Sequence, residues 1–127
     1  MAVTHSTTAR NSIADAVDVD INSGTTDTQG DLAILDGATD LVVINLQDPA
    51  FGAAAAGSMS IQGTPLSAVA VATGTADNFE LRDKDNNAVV LGSVTGTGGG
   101  GDIELDNTAI NSGQSVEITS LTYTAPS

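Results

Sequence analysis

The chain has no cysteine and no tryptophan, only three aromatic residues and only three basic ones. Without cysteine there is no disulfide, no thiol nucleophile and no thiolate-held zinc or iron–sulfur centre. The aromatics are Phe51, Phe79 and Tyr123, so a core has to be built from Val, Ile, Leu and Ala without the usual large anchors. Arg10, Arg82 and Lys84 face 16 Asp and Glu residues, for a net charge of −13. Nucleic-acid backbones are held by Lys and Arg that displace counterions, and anionic membrane surfaces attract the same residues. Neither a nucleic acid nor a membrane is therefore an expected partner. No apolar run approaches the roughly 20 residues of a membrane-spanning helix. The opening MAVTHSTTAR lacks the apolar stretch of a secretion signal, which predicts synthesis in the cytoplasm.

What is present fits one domain of 127 residues. Residues 6–22 carry the single helical pattern: Ile13, Val17 and Ile21 recur at four-residue intervals, with Ala9, Ala14 and Ala16 beside them. Ser6 or Thr7 offers an N-cap and Ser23-Gly24 a stop. The VDVDI run at 17–21 also alternates well enough to end in a strand. After Gly24 the pattern changes to short β-branched runs separated by Gly, Asp and Asn. Strands are predicted at 31–35, 41–46, 58–62, 66–72, 79–82, 88–95, 102–105 and 115–123. Residues 47–49 break the second strand. Residues 50–57 read as a loop with Phe51 pinned inward, and 83–87 as a hairpin loop. The glycine-rich run 96–101 reads as a flexible connection or hairpin tip. About eight short strands at this spacing predict an antiparallel, jelly-roll-like β-sandwich. An N-terminal arm and helix (1–24) would precede the sandwich (25–127) within one structural domain.

Three patterns in the sequence bear on chemistry. Asp83, Asp85 and Asn87 form the D-x-D-x-N opening of a calcium loop, whose alternate oxygen ligands converge on one ion. The loop then fails, with Ala88 at position six and Val94 at position twelve. Asp18, Asp20 and Asn22 make a weaker second match. Asp and Asn also populate turns for their own backbone bonding, and that reading is preferred, with no cofactor expected and calcium as the one alternative. Gly96, Gly98 and Gly101 match G-x-G-x-x-G, but the acidic DIELDN that follows is not the helix a dinucleotide site requires. Nucleophilic catalysis needs a base, and the single histidine, His5, lies close to the start of the chain. No catalytic residue is assigned, and no enzymatic activity is expected. Phe51 and Tyr123 are either packing residues or anchors of a subunit interface, where aromatics are enriched. His5 and Arg10 are groups able to meet carboxylates on a neighbour.

The order of the segments TTARNSIADAVDVDINSGTTD, GDLAIL, DPAFGAAAAG, TGGGGDIELDN and SVEITSLTYTAPS resembles small virion structural proteins of tailed bacteriophages. The resemblance spans nearly the whole chain. It implies a non-catalytic β-sandwich that coats or joins, most simply a decoration or cement protein on the capsid exterior. Its partner would then be the major capsid protein. Many equivalent sites favour a homo-oligomer, a dimer or trimer, with segment 1–12 as tether. A tail or neck component (tube, terminator or tip) and a calcium-dependent carbohydrate-binding module stay open as alternatives.

Overall fold

The computed structural model describes residues 3–47 and 49–125. Met1 and Ala2 of the expected tether, Asp48 of the expected break, and Pro126 and Ser127 of the closing segment lie outside them. Helix α1 (Thr7–Ile21) comes first. The strands follow as β1 (Asp31–Asp36), β2 (Thr39–Asn45), β3 (Ser58–Ser60), β4 (Leu66–Val69), β5 (Gly74–Thr75) and β6 (Asn78–Arg82). The rest are β7 (Ala88–Gly96), β8 (Ile103–Leu105), β9 (Ala109–Ile110), β10 (Ser115–Ile118) and β11 (Thr122–Thr124). The fold is mainly β with one helix, as the sequence pattern predicts.

Ser6 caps α1, its Oγ accepting from Ala9 N at 3.1 Å. This satisfies one of the amides that a helix start leaves without a partner. VDVDI stays helical to Ile21, because Ala14 and Ile21 are fully buried and Ile13 and Val17 pack beside them. That stripe recurs every three to four residues, the spacing of one helix face. Helix and strands share one core cluster.

The main sheet has the order β2-β1-β6-β7-β8. Ladder partners share a face, so register defines the core layer. Leu32 lies between Ile44 and Leu81, and Ile34 between Val42 and Phe79. All six are at most 3% exposed. Two strand pairs, β4–β10 and β3–β11, supply Met59, Leu66, Val116 and Ile118 to the same core. The layers are not separate slabs. Val71 N donates to Leu41 O at 2.8 Å just past the end of β4, tying that pair to β2. The result is a curled, sandwich-like sheet.

Two sequence expectations fail on topology. The run at 96–101 is neither a hairpin tip nor a free connection, because β7 and β8 pair in parallel. A parallel neighbour ordinarily needs a crossover of a dozen or more residues. Here a short glycine loop reverses the chain twice, with Gly98 and Gly100 at φ +84° and +81°. Glu104 Oε1 and Oε2 accept from Gly98 N and Gly100 N at 3.2 and 3.1 Å. Gly101 N donates to Thr95 Oγ1 at 3.0 Å. The second failure is the long strand at 115–123. It divides at 119–121, and the chain leaves β4 to join β3. The two-residue strands β5 and β9 had no signal at all, being too short for alternation to register.

The outer face of β1 is buried as well, with Asp31, Ala33 and Leu35 at 6%, 0% and 3% exposure. Arg82 on β6 spans this face. Its Nη1 and Nη2 donate to both Asp40 oxygens on β2 at 3.0 and 2.8 Å, and its Nε donates to Glu80 at 3.0 Å. Ala33, paired with Glu80, contributes only a methyl to that face. The forked pair holds the Asp40 carboxyl below its ordinary range and raises the guanidinium's affinity for its proton. Asp31 shifts the other way: burial raises its pKa, the charge of Asp27 adds to this, and Arg82 opposes it.

Replacing Arg82 with Met leaves Asp40 and Glu80 without their cation. It should cost about 2–3 kcal/mol in urea melts, against about 1 kcal/mol for Lys, which keeps the charge but not the fork. Asp31 predicts a pH signature of opposite sign to Asp40. With its folded pKa raised, ionised Asp31 opposes folding at neutral pH, and that opposition fades as pH falls through the raised folded value toward the ordinary 3.8. Asp31→Asn should therefore raise the melting temperature by roughly 2 °C at pH 7. The gain should vanish by pH 3. Asp40→Asn should destabilise at pH 7 and become neutral in acid, because a lowered folded pKa gives stability that is lost as pH falls through it.

Candidate interaction surface

Residues 50–57 form an irregular segment: β3 accepts from two of its amides, Gly52 N to Ser60 O at 2.9 Å and Ala55 N to Ser58 O at 2.8 Å, and α1 with its C-cap satisfies three others. Asp18 Oδ1 accepts from Phe51 N at 3.1 Å, Asn22 Oδ1 from Ala50 N at 3.2 Å, and Asn11 Oδ1 from Gly57 N at 2.8 Å. These three polar residues follow the helix's buried stripe. They convert an otherwise mediocre helix former content into a docking edge.

The residues singled out from sequence fall into three places. His5 is exposed and precedes the helix cap. Residues 7–12 of the expected tether are helix. Arg10 lies across Gly57, where a Cβ would come within 2.7 Å of its guanidinium carbon, and its Nη2 donates to Ala125 O at 3.3 Å. Its Nε is buried without a hydrogen-bond acceptor. Arg10 is thus part of the seam between α1 and the β3–β11 pair. Phe51 is 2% exposed and bridges Ile61, which is its packing role. Tyr123 is half-buried on β11 opposite Met59.

The aspartates at 83–87 act on backbone. Asp83 Oδ1 accepts from Asp85 N and Asn87 N, each at 2.9 Å. Asp85 Oδ1 reaches away to Thr25 N and Thr26 N, both at 3.0 Å. Those bonds, with that of the Thr26 side chain, lower the Asp85 pKa. Asn86 at φ +65° closes the turn. The two carboxylates are directed to different donors. Among the described residues, no group of three or more His, Cys, Asp or Glu is placed to hold a metal ion. The glycine loop is likewise occupied from within. The amides of Gly98 and Gly100, which a phosphate would need, already bind the Glu104 carboxylate.

All three aromatic residues of the chain line one groove of about 320 Å³, between β6–β7 and the β11 segment. Phe51, Phe79 and Leu81 are its buried members, with Val90 and Tyr123 more exposed. The Phe79 ring fits because its ladder partner is Gly92. A Cβ there would lie 2.3 Å from the ring. Phe79 and Gly92 were missed from sequence as site residues. Their pairing is a matter of register, which a single strand pattern does not reveal. Leu91, the neighbour of that glycine, is 69% exposed.

Gly92→Ala should force the Phe79 ring out of place and cost about 1–3 kcal/mol, with a changed near-ultraviolet signal from the aromatics. Asp18→Ala should cost about 1–2 kcal/mol by leaving the part-buried Phe51 amide without its acceptor. Amide exchange would then accelerate at Phe51 while the β1 and β6 amides stay protected. Compared with protein-family models, with curated proteins and with solved structures, the chain has no match.

Proposed function

We propose that this chain is a virion structural protein of the decoration or cement type, which adds to the exterior of an assembled capsid and acts by binding rather than catalysis. The observation that carries the reading is the groove that gathers every aromatic side chain of the protein. Tyrosine is enriched among the residues that dominate protein contacts, and here Tyr123 stands at the groove with Phe51 and Phe79 buried as its floor. Two further facts support it. The acidic side chains nearest to catalytic or metal-binding patterns are engaged with backbone amides. The net charge of −13 keeps the free protein soluble. The partner is the major capsid protein. A chain that binds the assembled shell and not its free subunits stabilises the shell by mass action.

Quantitative mass spectrometry of purified particles tests this reading. A ratio to the major capsid protein near one, or a simple fraction of one, is expected. A few copies per particle would move the protein to the neck or tail, and absence from particles would overturn the proposal. On particles, Tyr123→Ala should weaken binding at least tenfold while the isolated protein keeps its cooperative melt. Unchanged binding would remove the groove from the contact.

A further inference from the structure

We infer that the open seam between β8 and β10 receives an extended, lysine- or arginine-bearing segment of a partner protein as an added strand. Following neighbours around the curled sheet gives β8, β7, β6, β1, β2, then β4 through the Val71–Leu41 bond, then β10. One step is missing from this ring. Among the described residues, β8 pairs only with β7, β10 only with β4, and no ladder joins them.

The two edges are matched. Both strands alternate with the same phase, burying Ile103 and Leu105 on β8 and Val116 and Ile118 on β10. Residues 101–104 lie across from 117–120, and 105–107 across from 114–117, so the edges run antiparallel. Two clefts, of about 240 and 250 Å³, follow one another along the gap. Thr97 N bonds Leu105 O on the β7 side, and Ala70 N bonds Gln114 O on the β4 side. Ladder groups alternate in direction. The N–H and C=O of Glu104 on one edge, and of Ser115 and Glu117 on the other, therefore face the gap. A strand placed there would bond to both edges and complete the ring, the mode of recognition by strand addition.

Charge selects the occupant. Asp102, Glu104, Asp106 and Glu117 line the two clefts, and no Lys or Arg does. Glu117 has no side-chain partner among the described residues. Acidic edges repel a second copy of a chain at −13 and attract a basic segment. Alternating side chains of the added strand would point one row inward toward Ile103 and Val116, and the other outward to the carboxylates.

The test uses the full chain and two synthetic octapeptides, one alternating valine with lysine, the other valine with glutamate. It needs no virion, so its outcome is independent of the decoration reading. The lysine peptide should bind with an affinity that falls as salt rises, and should slow amide exchange at Glu104, Ser115 and Glu117. Glu117→Lys should weaken that binding about fivefold at low salt. Ser115→Pro should abolish protection across the gap while leaving the β4 ladder intact, because its amide faces away from β4. The inference is overturned by equal binding of the glutamate peptide, or by an absence of protection at those amides. Protection that grows with protein concentration alone would also overturn it, since a second copy would then fill the seam.

Discussion

The structure depends on how a chain with 16 carboxylates and three cations among its Lys and Arg residues finds partners for its acids. The solution is the backbone amide. Asp18 accepts from Phe51 N, Asp36 from Thr75 N, Asp77 from Gly37 N, Asp85 from Thr25 N and Thr26 N, and Asp102 from Ser93 N. Glu104 accepts from two glycine amides. A carboxylate bonded to N–H groups is held by charge-assisted bonds without a counter-charge. Most of these bonds join segments far apart in sequence. They do for the loops what a longer ladder would do for strands, and they allow the pairs β3–β11 and β5–β9, with strands of two or three residues, to persist beside the main sheet.

A guanidinium meets carboxylates on the outer face of β1. That strand is buried on both sides, so an acid there cannot rely on water. Arg82 reaches Asp40 and Glu80 from this position, and its charge partly offsets the cost of Asp31. The small side chain of Ala33 between the flanking strands makes the crossing possible. One basic residue thus links β6 to β2 over β1. Arg10 has a different task. It fills the seam between helix and C-terminal strand with its stem and flat guanidinium, a packing contribution as much as a charged one.

Much of this fold was legible in the sequence. The helix face at Ile13, Ala14, Val17 and Ile21 and the strands around Leu32, Val42, Phe79 and Val90 follow from periodicity, and the inward Phe51 from its being the one large apolar residue of its loop. What periodicity cannot supply is pairing. The DIEL strand gives the same alternation whether its neighbour is parallel or antiparallel, so the glycine loop before it reads as a hairpin tip. SVEITSLTY alternates without interruption, yet the chain changes partner at 119–121. The site was less legible than the fold for the same reason. Phe51 and Tyr123 were recognisable as aromatics with a task, but only register places Phe79 against Gly92 and joins the three in one groove. The hairpin loop at 83–87 follows from its Asp and Asn content and joins β6 to β7. Its distant bonds to Thr25 and Thr26 had no signature in the sequence.

The same charge imbalance governs how this protein can associate. Copies carrying −13 each repel one another within a Debye length of about 8 Å at physiological salt. On the proposed reading, close packing of many copies on a shell works against this repulsion and is driven by contact with the shell. Two features are suited to that, and they draw on different physics. The aromatic groove offers apolar contact that salt does not weaken. The seam between β8 and β10 offers backbone bonds flanked by carboxylates, which select a basic strand and weaken in salt. On the proposed reading the two act on one shell, and an extended segment held in the seam orients the groove against the surface from which the segment emerges. Two weak contacts tethered in this way raise the effective concentration of each for the other. A small, cysteine-free, nearly aromatic-free chain can then hold to a large assembly while remaining soluble alone.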